Sequence, residues 1–445
     1  MLLYYFLVVI AIWLGLLSLR GGLRFAAYVR RELGAPLSDY TPFVSVIAPF
    51  RGVEEGLWQN FAALFQQDYP AYQIIFVTDS PDDAALSLLH QLQSDKPQSD
   101  KLQFVDDFNK NEPQEFDSTK PYLLQKFAGE SHDHLKIIGQ VNSQVMFAGP
   151  ASDSGQKVHN LRHAVSSIDT RTEVIVFVDS DARPHANWLR SLVAPLVDAN
   201  LGATTGYRWF VASPFHLAGQ LRSVWNASIA SALGAQRERN FCWGGSTAIR
   251  RQTFEKLGIA ARWRGSVSDD FTLTSVLHEA NLPIKFVPQC LLVSNGECGV
   301  HELLEFTNRQ LKITRVYAAH LWKALLLGSA QFVLVFFGGF ALLFVRWWFG
   351  LPSFAILICL GIIFGLGAAK AWIRLQAVKL ALANYELSLD GSLPAQLLLW
   401  PFASALFLAN AIAAGFSRRI RWRGISYELK SAREAVIIGR EPDSL

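Results

Sequence analysis

The segment EVIVFVDSD, residues 173–181, decides the fold of this chain. Its five central residues are apolar and mostly β-branched, which is typical of a buried strand, and two carboxylates follow them directly. Side chains alternate along an extended chain with a period of two, so Asp179 and Asp181 point the same way. In an open α/β sheet, ligands bind at the carboxyl ends of the strands. The segment therefore predicts a central strand that delivers two carboxylates to a binding site.

Other strand candidates alternate with longer helical stretches across residues 41–320. They are FVSVIAPF (43–50), QIIFVTD (73–79), LKIIG (135–139) and PIKFVP (283–288). This alternation predicts an α/β domain of Rossmann-like type, with a mostly parallel sheet covered by helices on both faces. The polar stretch 94–134 is interpreted as a surface insertion.

Apolar residues are concentrated at the two ends of the chain. Hydrophobic residues make up 51% of the sequence and charged residues only 18%, compared with about 25% charge in soluble domains. Residues 1–19 carry no charge, and Arg20 follows them. This pattern predicts a transmembrane anchor over residues 1–20, with the next segment in the cytoplasm.

Further membrane helices are predicted over residues 321–417. Three stretches without charge are each long enough to cross a bilayer: 324–345, 351–369 and 393–417. Three crossings would leave the basic tail, residues 418–445, outside. We therefore expect a fourth, partly polar crossing at 371–389, which places the tail in the cytoplasm. The alternative for 371–389 is an amphipathic helix that lies in the membrane interface.

Several functional classes are excluded by the sequence. The net charge is only +4, without a dense basic block away from the membrane flanks, so a nucleic-acid partner is not expected. The G-x-x-x-x-G-K-[ST] loop of ATP hydrolases is absent. The G-x-S-x-G and H-E-x-x-H hydrolase motifs are absent too. Phosphate chemistry without ATP hydrolysis remains.

Carboxylates suggest how such chemistry would be done. Hard oxygen ligands such as Asp179 and Asp181 suit Mg²⁺ or Mn²⁺, although two solvated loop acids are the simpler alternative. A second acidic pair, Asp269-Asp270, follows the loop at 264–266. Asp270 could take a proton from an acceptor hydroxyl, while Asp269 could cap a helix predicted over 270–280.

Eight motifs follow one another across nearly all of residues 40–430. They are VSVIAPFRG (44–52), QQDYP (66–70), IIFVTDSPDD (74–83), KVHNL (157–161), VFVDSDARP (176–184), FCWGGSTAIRR (241–251), SDDFTL (268–273) and WRGISYEL (422–429). In this order they resemble membrane-anchored, family 2-type glycosyltransferases with a GT-A fold. The resemblance is strongest to the ceramide glucosyltransferase group, family 21.

The resemblance implies roles for residues at the matching positions. Pro49 and Asp79 would line the nucleotide pocket, and Lys157 would lie close to the nucleotide. The pocket for the sugar and the acceptor would be shaped by a loop that contains Trp243, Gly244 and Gly245.

The resemblance also implies which acids act. Asp179 and Asp181 match the metal-binding motif for Mg²⁺ or Mn²⁺, with Asp181 as the direct ligand. Asp270 matches the general base, and Asp269 stands beside it.

One family element departs from its pattern, (Q/R)-x-x-R-W. The nearest match begins at Arg309, keeps a positive charge at Lys312, and has Ile313 in place of tryptophan. The resemblance implies that Arg309 and Lys312 grip the pyrophosphate, although lysine does not replace arginine at a bidentate contact. The alternative is that residues 302–317 form an amphipathic helix at the membrane surface.

Together these features imply an inverting glycosyltransferase. It would move a hexose, by default glucose, from a UDP-sugar to a lipid hydroxyl at the cytoplasmic membrane face. Two alternatives stay open. A processive polysaccharide synthase is disfavoured by the missing tryptophan. A catalytically inactive membrane scaffold is disfavoured because the three acidic sites, at Asp79, at 179–181 and at 269–270, are all present. The acceptor stays open among ceramide, diacylglycerol, a hopanoid and a polyprenyl carrier.

Overall fold

A seven-stranded sheet forms the centre of the computed structural model, which describes residues 1–94 and 141–441. Its spatial order is β3-β2-β1-β4-β6-β5-β7. All neighbouring strands are parallel except β6, which runs antiparallel to β4 and β5. In chain order the strands are β1 (Val44–Pro49), β2 (Tyr72–Thr78), β3 (Asn142–Phe147), β4 (Val174–Phe177), β5 (Ala203–Val211), β6 (Thr247–Arg250) and β7 (Ile284–Asn295).

The described residues form fifteen α-helices. They are α1 (Leu2–Leu33), α2 (Leu57–Phe65), α3 (Leu86–Ser94), α4 (Gln156–Val165), α5 (Trp188–Val193), α6 (Leu217–Ala230), α7 (Arg251–Lys256), α8 (Ile259–Arg262), α9 (Asp269–Glu279), α10 (Val300–Tyr317), α11 (Ala319–Trp348), α12 (Phe354–Ala381), α13 (Glu386–Gly391), α14 (Leu393–Leu398) and α15 (Trp400–Phe416).

The predicted fold class is confirmed. Strands β1, β2 and β4 are buried along their whole length, as expected for parallel strands covered by helices on both faces. Alternate residues of β1 enter different cores: Val46 belongs to one hydrophobic cluster and Ile47 to the other. The strand candidate 135–139 and residues 95–134 of the predicted insertion lie outside the described residues.

Helix α1 extends beyond the predicted anchor and packs against the α/β domain. The Tyr28 hydroxyl donates to the Phe286 carbonyl at 2.6 Å, and Lys285 forms an ion pair with Glu32 at 2.9 Å. Lys285 and Phe286 both lie in β7. One continuous helix of 32 residues thus joins the apolar N-terminus to the sheet.

Among the residues that the structure describes, three helices are long and apolar enough to cross a membrane: α1, α11 and α12. Residues 371–389 do not form a helix of their own, whether as the predicted fourth crossing or as the alternative interfacial helix. Residues 371–381 continue α12, because strong helix formers follow residue 369 without a proline or glycine to stop the helix. Short helices α13 and α14 then follow.

The stretch 393–417, also expected to cross, forms α14 and the 17-residue helix α15. Its start lies beside the catalytic domain, where the Gln396 side chain donates to the Ser223 hydroxyl at 3.2 Å. The residues after α15 return to the same domain. Both ends of this segment therefore lie beside the α/β domain.

The basic tail folds into a three-stranded antiparallel sheet. Its strands are β8 (Arg419–Trp422), β9 (Ile425–Ser431) and β10 (Glu434–Arg440). The Tyr427 hydroxyl accepts a hydrogen bond from the Gln156 backbone amide at 3.1 Å, at the start of α4. The tail sheet therefore packs directly against the α/β domain.

Candidate functional site

A large cavity joins the carboxyl ends of the central strands to the long apolar helices α1, α11 and α12. Its volume is about 2610 Å³. Eight of the twelve residues predicted for the site line it: Pro49, Lys157, Asp179, Asp181, Trp243, Asp269, Asp270 and Arg309. The other four residues do not line the cavity: Asp79, Gly244, Gly245 and Lys312.

Five side chains of alternating charge form a continuous chain of ion pairs in this cavity. The Lys157 ammonium lies 3.1 Å from an Asp269 oxygen and 2.6 Å from an Asp179 oxygen. The Arg208 guanidinium then contacts Asp179 at 3.1 Å and Asp181 at 2.8 Å. Each cation thus bridges two carboxylates, which offsets the cost of burying the acids.

Local structure explains how these residues meet. Asp179 and Asp181 follow the end of β4, as predicted, and Lys157 lies in the first turn of α4. Arg208 projects from β5, two strands away across β6. Arg208 was not predicted from the sequence, although it is the lone charged residue of the strand ATTGYRWFV, which is a signal for it.

The two basic neighbours set the charge state of Asp179. Burial acts to raise its pKa, but Lys157 and Arg208 outweigh burial and hold the pKa below its ordinary value. Asp179 is therefore an anion at neutral pH.

The carboxylates at the end of β4 have one feature that favours a divalent cation and one that does not. One Asp181 oxygen, Oδ1, is buried and has no hydrogen-bond partner, so it is open to a hard cation. Within residues 1–94 and 141–441, no three acidic, histidine or cysteine side chains cluster as metal ligands. Mg²⁺ however needs only one or two carboxylates when water and substrate phosphates complete its shell. The residues present fit such a cation, with Arg208 as its competitor.

The acidic pair at the start of α9 divides into two roles. Ser268, not Asp269, is the N-cap, because its hydroxyl accepts from the Phe271 amide at 3.2 Å. The predicted capping by Asp269 is therefore wrong. Instead Asp269 is 3% exposed and points at Lys157. Burial raises the pKa of Asp269 to about 6, although Lys157 lowers it.

Asp270 faces the cavity. One of its carboxylate oxygens accepts hydrogen bonds from the Ser268 hydroxyl and, at 2.7 Å, from the Phe271 amide. These contacts hold the carboxylate in one orientation and, unlike Asp269, Asp270 has no direct ion pair among the described residues. It is the acid of the pair that is available to a ligand.

The loop 243–245 packs around the charged chain. The Trp243 ring lies 4.7 Å from the Arg208 guanidinium. A Cβ atom at Gly244 would collide with an Asp269 carboxylate oxygen and approach the Lys157 nitrogen to 2.6 Å. Glycine at 244 is therefore needed for the Lys157–Asp269 contact, while Gly245 leaves room for the Trp243 ring.

A second basic group comes from the tail. Arg423 lies in the turn between β8 and β9 and donates to the Arg51 carbonyl at 3.1 Å and to the Ser180 hydroxyl at 3.5 Å. Arg51 in turn lies 3.6 Å from the predicted nucleotide-pocket acid Asp79. Burial, together with Arg51, lowers the pKa of Arg423 to about 10. The sequence motif at 422–429 assigned Arg423 no role, because pairing of the tail with distant loops leaves no local pattern.

The two predicted pyrophosphate residues of α10 separate. Arg309 lines the cavity, where its guanidinium lies 5.3 Å from the Trp422 ring. Burial lowers the pKa of Arg309 to about 10. Lys312 instead donates to the Arg419 carbonyl at 2.8 Å and so holds β8. The structure brings only Arg309 to the cavity.

Three solved structures are similar to this chain. A mannosyltransferase from Pyrobaculum calidifontis, in complex with GDP-Man and Mn²⁺, has 18% sequence identity and a TM-score of 0.44, covering 92% of this chain and 99% of that chain. Glucosyl-3-phosphoglycerate synthase from Mycobacterium tuberculosis with phosphoglyceric acid has 12% identity, a TM-score of 0.35, and coverage of 63% and 88%. The same enzyme with Mn²⁺ and UDP-glucose has 12% identity, a TM-score of 0.34, and coverage of 65% and 82%.

A family model gives the assignment. The model of glycosyl transferase family 21 matches residues 3–110 and 139–435, which is most of the sequence. The match includes both apolar ends as well as the sheet and the acids that line the cavity. This chain belongs to glycosyl transferase family 21.

Proposed function

We propose that the protein transfers one hexose, with glucose as the first candidate, from a UDP-sugar to a hydroxyl group of a membrane lipid. The observation that carries this proposal is the cavity, which is lined by the acids at the strand ends and also by α1, α11 and α12. A water-soluble donor and a membrane-embedded acceptor can meet in such a space.

Basic side chains around the acids suit a nucleoside diphosphate. Arg208, Arg309 and Arg423 all line the cavity, as does Lys157. Arginine matches phosphate oxygens through its planar set of donors. In the proposed complex the diphosphate takes over part of the pairing that the aspartates now satisfy.

Asp181 and Asp179 would hold Mg²⁺ or Mn²⁺ together with the donor. When bound, the cation would neutralise negative charge that develops on the departing UDP. The unpartnered Asp181 oxygen is the feature of this chain that supports the assignment.

Asp270 is the proposed general base. It accepts the proton of the lipid hydroxyl as that oxygen forms its bond to the anomeric carbon, and the bond from this carbon to UDP breaks on the opposite side. A single displacement inverts the anomeric centre. Asp269 is the weaker candidate because Lys157 already holds its carboxylate.

Apolar walls support the proposal of a lipid acceptor. They line the part of the cavity between α1, α11 and α12, here called the membrane arm. Leu14 of α1, Phe332 of α11 and Ile363 of α12 line it. Apolar walls suit a lipid better than the polysaccharide of a processive synthase. The buried aspartates argue against an inactive scaffold, since acids without a use are costly to bury.

We further propose that the catalytic domain faces the cytoplasm. Arg20, Arg24, Arg30 and Arg31 follow the uncharged residues of α1, and basic residues favour the cytoplasmic side.

The purified full-length protein, reconstituted in liposomes that contain a lipid extract, tests this function with labelled UDP-sugars and Mn²⁺. We expect mass spectrometry to find a lipid that carries a single hexose. Asp270→Asn should reduce turnover by about 10²–10⁴-fold, the range of general-base catalysis, while UDP binding is kept. Asp153→Asn is the control, because Asp153 is an exposed acid outside the cavity lining.

Other results would contradict the proposal. Full activity of Asp270→Asn would remove this residue as the base. A sugar polymer as product would favour the synthase, and donor binding without any product would favour the scaffold.

A further inference from the structure

Two basic side chains of α12 lie in the membrane arm of the cavity, away from the aspartates. Lys370 and Arg374 are four residues apart, so they lie on one face of the helix. Both line the cavity. Arg374 is only 3% exposed. Neither residue has a part in the proposed transfer reaction.

These two cations lie where the helices leave their uncharged segments. The Lys370 ammonium donates to the Ser18 hydroxyl at 2.7 Å. A Cβ atom at Gly22 would lie 3.2 Å from the Lys370 side chain. Lys370 is thus level with Arg20, the first charged residue of α1. Lipid headgroups are expected at this level, on the side of the catalytic domain.

The charges of the two residues are not neutralised in the described part of the chain. Arg374 donates to the Gln396 side-chain carbonyl at 2.9 Å, and its Nε atom is buried without a hydrogen-bond partner. Its guanidinium also lies 5.9 Å from the Trp209 ring. None of these groups is an anion, and among the described residues the Lys370 ammonium donates only to a hydroxyl.

The next basic residue of the helix shows that an internal partner was possible. Lys379 forms an ion pair with Asp390. Among the residues that the structure describes, Lys370 and Arg374 lack such an acid although they are nearer to the membrane, where an uncompensated charge is most costly. This contrast indicates that their anion comes from outside the chain.

We propose that Lys370 and Arg374 bind the phosphate group of an anionic membrane lipid. A phosphate oxygen would accept from the unpartnered Arg374 Nε, and a second oxygen would accept from the Lys370 ammonium; such charge-assisted bonds are strong. The acyl chains would lie along the apolar arm beside Leu14, Leu366 and Phe332. The site is separate from the donor's, and it does not depend on the proposed transfer reaction.

Lipid binding to the purified full-length protein tests this site without any activity measurement. Native mass spectrometry compares dioleoyl phosphatidylglycerol with dioleoyl phosphatidylcholine, which have the same acyl chains. We expect the anionic lipid to bind at least about tenfold more tightly, a difference of about 1.4 kcal/mol. The double variant Lys370→Gln/Arg374→Gln should lose this preference.

Two further variants serve as controls. Lys323→Gln removes an exposed basic residue near the start of α11, and the preference should stay. Arg374→Lys keeps the charge and should keep most of the preference, which also guards against a double variant that fails to fold.

Three results would overturn the proposal. They are equal binding of the two lipids by the unaltered protein, a preference that survives in the folded double variant, and displacement of the lipid by millimolar inorganic phosphate. The last result would assign the site to free phosphate instead of a lipid.

Discussion

Lys157 and Arg208 are central at the scale of single residues because each contacts two carboxylates. Between them they bind Asp269, Asp179 and Asp181 in one line. These two cations neutralise the carboxylates that would hold the metal ion in the proposed complex, and they are also the groups that would contact the diphosphate. In the proposed function, ligand binding would therefore exchange one set of ionic partners for another.

Arg208→Gln tests this exchange. With the guanidinium gone, Asp181 loses its ion pair, and Mn²⁺ no longer competes for its oxygens. We expect Mn²⁺ to bind the nucleotide-free variant at least about tenfold more tightly, which corresponds to about 1.4 kcal/mol. Electron paramagnetic resonance of free Mn²⁺ during a titration measures the affinity.

Arg222→Gln is the matched control for that experiment. Arg222 also lines the cavity, but its guanidinium donates to the Asn295 and Glu297 carbonyls at 2.9 and 3.0 Å. Its Mn²⁺ affinity should equal that of the unaltered protein. An unchanged affinity in Arg208→Gln would show that Arg208 does not compete with the metal.

The pH dependence of transfer should depend on Lys157. Asp269 has a pKa raised to about 6 by burial, and Lys157 opposes this rise. As pH falls through about 6, Asp269 becomes protonated and loses the negative charge that keeps its neighbour Asp270 basic, and we expect turnover to fall. Lys157→Gln removes the opposing charge, so the pKa rises further and the acid limb moves to higher pH.

The profile of kcat against pH measures this limb, and Lys157→Arg, which keeps the charge, should leave it in place. A limb that stays or moves to lower pH in Lys157→Gln would contradict the assignment to Asp269.

At the scale of elements, the tail sheet is attached to the catalytic domain by a very close contact. Gly265 precedes α9 and has a φ of +78°. A Cβ atom there would collide with the Arg433 carbonyl in the turn between β9 and β10. Since α9 carries both Asp269 and Asp270, the tail and the acids share one support.

Gly265→Ala should loosen the tail sheet. Alanine at a left-handed position costs about 1–2 kcal/mol, and the collision adds to this cost. Gly258→Ala is matched, since Gly258 has a φ of +61° but a Cβ atom there would meet no other atom within 4 Å. Hydrogen exchange over residues 425–440 should accelerate only in Gly265→Ala. Equal effects of the two variants would contradict this contact.

Local patterns predicted some elements well and others poorly. The apolar runs that became β1, β2 and β4 were predicted because buried parallel strands are continuously hydrophobic. The antiparallel β6 was missed, since its partners lie far away in sequence. The tail sheet was missed although its three strands follow one another closely in the chain. Helix α12 was divided because Lys370 and Arg374 interrupt its hydropathy without interrupting the helix.

The residues of the candidate site likewise divide into those that local sequence patterns predict and those that depend on long-range packing. Asp179, Asp181 and Asp270 could be predicted from strand ends and motif resemblance. Arg208 and Arg423 could not, because their approach depends on how β5 and the tail sheet pack. Lys312 was expected at the site, but its side chain turns to the Arg419 carbonyl.

At the scale of the whole molecule, the tail and the catalytic domain lie on one side, and the loop between α11 and α12 lies at the other end of those helices. Cysteine variants test the membrane orientation with an impermeant maleimide in intact cells. Gly350→Cys, in the loop, should be labelled directly. Lys430→Cys and Asp153→Cys, on the tail and the domain, should be labelled only after permeabilisation.

The reverse labelling pattern would contradict the proposed cytoplasmic orientation. The native cysteines give little background, since Cys242, Cys290 and Cys298 are buried and Cys359 is half-buried in α12.

The unbroken course of α1 has a mechanical consequence. Because one helix of 32 residues would be embedded in the bilayer at one end and is attached to β7 at the other, it would set the height of the cavity above the bilayer. A thinner or thicker bilayer changes the tilt of such a helix. The catalytic domain would tilt with it, so bilayer thickness becomes a physical input to the reaction.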